Sequence, residues 1–158
     1  MTQQIPDAVK STAAIAGHPI HPMLVPLPIG FLVGVLLSDL GYMATSNPFW
    51  PEASRWLLLV GIITGAAASL FGLIDFLTIS YVRSRMAAWV HFAGNVVAIA
   101  LSLISLFSRP SDAVVPTGSL VLSIIVVLTL GVTGWLGGEL SYRYRIGVVP
   151  RSQDTTSA

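Results

Sequence analysis

Long apolar runs alternate along this chain with short polar breaks. Four runs, Pro26 to Ala44, Trp56 to Ile79, Trp89 to Phe107 and Ser119 to Leu140, are each close to the ~20 residues that carry a helix across a hydrocarbon core. Two of the breaks, "TSNPFWPEASR" (45–55) and "SRPSDAVVPTG" (108–118), are rich in Pro, Ser and Asp, and the middle one, "SYVRSRMA" (80–87), is short and basic. Connections this short force adjacent helices antiparallel. The pattern therefore predicts an all-α integral membrane protein, an up-down four-helix transmembrane bundle. Residues 1–22 read as an N-terminal arm, 23–149 as the four-helix domain and 150–158 as a disordered tail. The two halves show no convincing sequence repeat.

Composition agrees with the pattern and narrows it. With 54% hydrophobic and 9% charged residues and a mean hydropathy of +0.80, the chain is too apolar for a soluble domain. Only Lys10 precedes the first run as a cation, and no small-residue cleavage site follows a short apolar region, so the first helix is expected to be retained. Cys is absent, which excludes disulfides, thiolate metal sites and covalent haem attachment. Basic residues then set the orientation. Lys10, Arg83, Arg85, Arg143, Arg145 and Arg151 fall in the arm, the middle loop and the tail, against Arg55 and Arg109 in the other two loops. Both termini and the middle loop are thus expected in the cytoplasm. A net charge of +1 gives no support for a nucleic-acid partner, and the arginines around Arg143 fit topology signals and contacts with anionic lipid.

Helical periodicity gives the packing faces. At 100° per residue, Gly61, Gly65, Ala68, Gly72 and Asp75 share one arc of the second helix, and His91, Asn95, Ala98, Ser102 and Ser105 share one of the third. Gly30, Gly34 and Ser38 do so on the first helix, and Ser123, Gly131, Gly134 and Gly138 on the fourth, with Glu139 at the edge. Stripes of small residues let helices approach closely in lipid, and packing alone explains them. Trp50, Trp56 and Trp89 read as interface anchors, and Trp135 as a packing residue.

Charged groups at membrane depth need a further reason, since each costs at least ~2.5 kcal/mol there unless it finds a partner. Asp75 is only about 6 Å from the inner end of its helix and His91 about 3 Å, from a rise of ~1.5 Å per residue. His18, His21 and Glu139 approach the same level. Asp39 alone falls towards the outer end. Both His18 and His21 precede proline, which favours extended geometry. A polyproline strut would place the two imidazoles on one face about 9 Å apart, with Pro26 and Pro28 in the first turn of the first helix.

Such a layer offers His18, His21, His91, Asp75 and Glu139 as ligands for zinc, iron, copper or manganese, with Asn95 and Gly138 beside them. Haem b is the second option, with His91 and either His18 or His21 as axial ligands and Arg83, Arg85 or Arg143 meeting the propionates. A quinone or proton-relay pocket is the third. Against all three stands a layer of hydrogen bonds and ion pairs, such as Asp75 with Arg83 or Glu139 with Arg143, that only fixes the bundle. No Ser, Thr or Gly pattern points to nucleophilic catalysis or a phosphate loop.

The segments "GHPIHPMLVPLPIG" (17–30), "GLIDFLTI" (72–79), "HFAGN" (91–95) and "GWLGGELSYRYRIGV" (134–148) together resemble a bacterial family of predicted four-helix membrane proteins, domain-of-unknown-function family 2231. The resemblance runs from about residue 15 to 149 and matches at His18, His21, Asp75, His91, Asn95, Gly138 and Glu139. Some relatives carry Rieske or c-type cytochrome modules, which implies a place near membrane electron transfer; this sequence carries none, so a redox partner is expected to be separate. The combined expectation is a multi-pass protein of the bacterial inner membrane with a cytoplasm-facing site for a transition metal or haem b. Its partners would be the lipid bilayer, separate membrane redox proteins or a second copy of itself. The alternatives are a structural or assembly subunit and a small transporter, for which Asp39 would mark the outer end of a path.

Overall fold

A computed structural model describes residues 8–109 and 114–148. Within them, a two-residue hairpin, β1 (Ala14–Ile15) and β2 (His18–Pro19), leads into a short helix α1 (Ile20–Leu24) and then into α2 (Pro26–Thr45). Three more elements of membrane-crossing length follow, α3 (Phe49–Thr78), α5 (Met86–Ser108) and α6 (Thr117–Tyr142), with a one-turn helix α4 (Ser80–Arg83) between α3 and α5. The α1–α2 segment and the three other long helices are apolar and long enough to cross a membrane, and only 17–22% of each apolar window is buried inside the protein. Most of their apolar surface therefore faces outward, as a lipid-immersed bundle requires. The disordered-tail reading of 150–158 lies outside the described residues.

The helices pack in the order α2, α3, α5, α6, each antiparallel to its chain neighbour, with α6 returning to α2. The core follows the expected small-residue stripes on two helices. Gly61, Gly65 and Ala68 of α3 are buried, as are Ala98, Ser102 and Ser105 of α5. Helix α6 differs from expectation. Its buried face is Ser119, Ser123, Val126, Leu130 and Thr133, while Gly131 and Gly134 are exposed and a methyl group on either would touch nothing. Gly30 of α2 is likewise open. Trp135, expected in packing, is 79% exposed. On a helix that is apolar all round, periodicity carries little information about which side meets protein.

The breaks also differ in detail. Helix α3 begins at Phe49 rather than Trp56, so most of the 45–55 break is helical. Pro51 is accommodated because it sits in the first turn, where its missing N–H has no intrahelical partner. Pro26 and Pro28 open α2 for the same reason. The extended strut from His18 to His21 does not form. Ala16 (φ 50°) and Gly17 (φ 80°) turn the chain between β1 and β2, which leaves His18 in β2. His21 enters α1, where Pro22 occupies the first turn, so a residue before proline is helical here after all.

The far end of the bundle is closed by an ion pair. Asp39 of α2 has no solvent exposure. It receives Arg109 Nη1 at Oδ1 and Nη2 at Oδ2, both at 2.8 Å, and the Ser54 hydroxyl at 2.6 Å. Arg109 directly follows α5 and also lies against Ser105 Oγ at 3.4 Å. Three helices are joined by one carboxylate.

Candidate functional site

At the opposite end, two histidines from different helices come together. His21 in α1 donates from Nδ1 to the Ala68 carbonyl of α3 at 2.8 Å, and His91 in α5 donates from Nδ1 to the Thr133 carbonyl of α6 at 2.7 Å. A carbonyl only accepts, so each contact places the proton on Nδ1 and leaves Nε2 with a free lone pair in the neutral ring. The ring centroids are 6.0 Å apart and the planes nearly perpendicular, at 87°.

The two histidines are seated in the same way. Each bonds a helix carbonyl and lies over the glycine four residues further along, one turn away on the same face. Gly72 follows Ala68, and Gly137 follows Thr133. A methyl group on Gly72 would come within 2.8 Å of His21 Nδ1, and one on Gly137 within 3.0 Å of His91 Cε1. Only glycine leaves room for the imidazole at either place. Asn95, one turn along α5, donates to the His91 carbonyl at 2.7 Å.

Both rings line a partly open cavity of about 180 Å³ between α1, α2, α3, α5 and α6, with Val82 of α4 at its edge. Its remaining wall is mostly apolar, with Pro28, Leu32, Phe92, Ile99 and Leu130 among the lining residues. Pro19, Ile146 and Gly147 close it from the loop side. These loop residues are held by the arm: Val9 N–H donates to the Arg145 carbonyl at 3.0 Å, and Gly147 N–H to the Val9 carbonyl at 2.8 Å.

The carboxylates are used elsewhere. Asp75 Oδ2 accepts the Ser11 hydroxyl at 2.6 Å, and Oδ1 accepts the Thr12 and Ala13 N–H groups at 2.8 and 2.9 Å. Asp75 thus ties the N-terminal arm to the last turn of α3. The neighbouring carbonyls of that turn, Phe76 and Leu77, are met by the Arg83 guanidinium, so Arg83 caps the helix and does not pair with Asp75. Glu139 pairs with Arg143 one turn along α6 at 2.8 Å, on the surface. His18 is exposed and its Nδ1 lies 3.1 Å from the Ala16 carbonyl. Of the candidate ligands, the fold brings together His21 and His91, with Asn95 and one edge of Asp75 on the same cavity wall. His18, Glu139 and Gly138 are not part of that wall. Among the described residues no group of three or more His, Asp or Glu side chains is arranged to hold a metal ion.

Periodicity alone missed the seats of the rings. Gly72 sits on the small-residue stripe but reads there as a helix contact, and Gly137 falls outside the stripe assigned to the fourth helix. The signal that was present is the spacing: Ala68–Gly72 and Thr133–Gly137 are small residues one turn apart, each opposite a histidine.

The family model for the predicted membrane proteins of DUF2231 matches residues 17–150. The chain belongs to the DUF2231 family of predicted membrane proteins. That span contains both histidines, both glycines and all four long helices. Neither the curated proteins nor the solved structures give a match.

Proposed function

We propose that this DUF2231 protein binds haem b between His21 and His91 and serves as an electron-transferring accessory in the bacterial inner membrane, with both termini in the cytoplasm and a separate redox partner. The observation that carries the reading is the imidazole pair. Two imidazoles bound through nitrogen at ~2.0–2.1 Å to one metal have ring centres roughly 6 Å apart, and the centroids here are 6.0 Å apart. Each ring has its Nδ1 proton tied to a carbonyl, the arrangement that orients a ligating histidine and raises its basicity. The wall is mostly apolar, as a macrocycle requires, but at about 180 Å³ the cavity is smaller than a porphyrin, so binding would require the surrounding helices or the loop side to move apart.

The donor set separates haem from a bare ion. Zinc, iron, copper or manganese held by protein alone takes three or more side-chain ligands, and Asp75 and Glu139 are committed to the arm and to Arg143. A porphyrin brings four nitrogens of its own and asks for only two axial ligands. When bound, it supplies a one-electron couple whose potential the axial ligands and the apolar surroundings tune. His21 and His91 would hold it, with their ring orientations fixed by the Ala68 and Thr133 carbonyls. If His21 and His91 both held the iron, no position would remain for a substrate, which would favour electron transfer over catalysis.

The test is the absorption spectrum of detergent-purified protein, oxidised and dithionite-reduced, with elemental analysis on the same sample, after expression with ample haem supply. The reading predicts a Soret band and sharp reduced bands that disappear in His21→Ala and in His91→Ala. A folded protein without a Soret band overturns it and leaves the pair as a tie between α1 and α3 and between α5 and α6; stoichiometric metal without a Soret band assigns a simple metal site instead.

A further inference from the structure

Among the described residues, the connection between α3 and α5 carries an arginine whose Nε finds no acceptor. The Arg85 guanidinium lies between two tyrosine rings, 4.3 Å from the centroid of Tyr81 and 4.9 Å from that of Tyr144. Both rings are within cation–π reach of the guanidinium and hold it in place. Its Nε is buried and has no hydrogen-bond partner, and the same holds for Arg145 Nε, one residue beyond Tyr144. Unmet donors of this kind are costly. Among the described residues, the carboxylates at this end are engaged elsewhere: Asp75 holds the arm, and Glu139 pairs with Arg143.

Position says what kind of acceptor fits. Arg83, Arg85, Arg143 and Arg145 all lie at the histidine end, past the last turns of α3 and α6 and before the first of α5. That is the level of lipid headgroups, and exposed Trp89, whose indole N–H donates to the Arg83 carbonyl at 2.9 Å, marks the same level. A planar guanidinium matches the oxygens of a phosphate in pairs.

We propose that Arg85, clamped by Tyr81 and Tyr144 and assisted by Arg145, binds the phosphate of an anionic lipid headgroup at the membrane surface. The site does not depend on the occupant of the histidine cavity. One surface arginine adds about fivefold to the affinity for anionic lipid.

The full-length protein in nanodiscs of phosphatidylcholine, alone or with phosphatidylglycerol, gives the test, read by native mass spectrometry of retained lipid and by the thermal midpoint. Phosphatidylglycerol is expected to be retained and to raise the midpoint for the wild type. Arg85→Gln is expected to weaken retention about fivefold, while Arg143→Gln, which removes an exposed arginine already paired with Glu139, changes it less than about twofold. Arg85→Lys keeps the charge but not the stacked fork, and is expected to fall between wild type and Arg85→Gln; it serves as the readout if Arg85→Gln does not fold. Equal retention by wild type, Arg85→Gln and Arg85→Lys overturns the proposal. Inorganic phosphate in phosphatidylcholine discs distinguishes the source: stabilisation by phosphate that Arg85→Gln abolishes, with no preference for phosphatidylglycerol, assigns the site to a free anion and overturns the headgroup reading.

Discussion

The two ends of the bundle handle buried polar groups in opposite ways. At one end, both Asp39 oxygens and both terminal nitrogens of Arg109 are spent on each other and on Ser54. At the other, His21 and His91 each commit one ring nitrogen to a helix carbonyl and keep the second. The space around them differs in the same sense. The void beside Ser102, Ser105 and Ser123 is about 10 Å³, whereas the cavity lined by the histidines is about 180 Å³. The first is at the lower edge of the ~10–15 Å³ one water needs. A carboxylate fully engaged beside almost no space describes a structural lock, with Arg109 Nε the one guanidinium nitrogen there that finds no partner among the described residues. Spare acceptors beside a cavity are what the proposed ligand site rests on.

The largest expected effect comes from breaking the lock. Asp39→Ala leaves Arg109 buried without its carboxylate and is expected to cost about 3–5 kcal/mol, measured by unfolding in mixed detergent micelles. Replacing both partners with apolar residues, as in Asp39→Leu with Arg109→Met, is expected to recover most of that loss. If Asp39→Ala unfolds like the wild type, the ion pair is not a lock and the contrast between the ends fails.

The seats of the imidazoles come next. Gly137→Ala puts a methyl group 3.0 Å from His91 Cε1, and Gly72→Ala one 2.8 Å from His21 Nδ1. Each is expected to cost about 1–3 kcal/mol through overpacking and to displace its ring from the cavity. Gly131→Ala and Gly30→Ala meet nothing within 4 Å, so they are expected to be neutral or to stabilise by up to ~1 kcal/mol from helix propensity. Equal effects at all four glycines would show that the seats are ordinary helix contacts.

A smaller, local effect is expected at the arm. Asp75→Asn removes the charge from an acceptor of three hydrogen bonds. Weakening the hold by about 1.4 kcal/mol speeds tryptic cleavage after the exposed Lys10 about tenfold, with the unfolding midpoint of the bundle little changed. Cleavage at the wild-type rate would mean that Val9 and Gly147 hold the arm unaided. Smallest of all, Glu139→Gln breaks an exposed pair one turn apart on α6 and is expected to change stability by no more than about 0.5 kcal/mol.

The bundle was legible in the sequence because a bilayer imposes length and apolarity on every span, and the runs found from hydropathy all became helices. The stripes of α3 and α5 were legible where small residues alternate with large ones. The stripe of α6 was legible only at Ser123, because Gly131 and Gly134 meet no neighbour, Gly134 lying at the cavity, and the buried side is made of Ser, Val, Leu and Thr. The polar layer was half legible. Depth along each helix brought His21, His91, Asn95 and Asp75 to one level, but depth says nothing of direction. Asp75 turned to the arm, Glu139 to Arg143, and His18 left with the hairpin that the positive φ of Ala16 and Gly17 creates. The partner of Asp39 was hidden for another reason. Arg109 lies 70 positions away, and its place in a Pro- and Ser-rich break read as loop rather than as the cap of a buried carboxylate.

The most direct test of the central claim is the electron paramagnetic resonance spectrum of the oxidised, haem-loaded protein. Two axial imidazoles whose planes stand nearly perpendicular, as those of His21 and His91 do at 87°, are expected to give a strongly anisotropic low-spin ferric signal. That signal should be replaced by a high-spin one in His21→Ala and in His91→Ala. Iron that is not retained, or a spectrum that neither substitution alters, contradicts the claim that this pair is the ligand site.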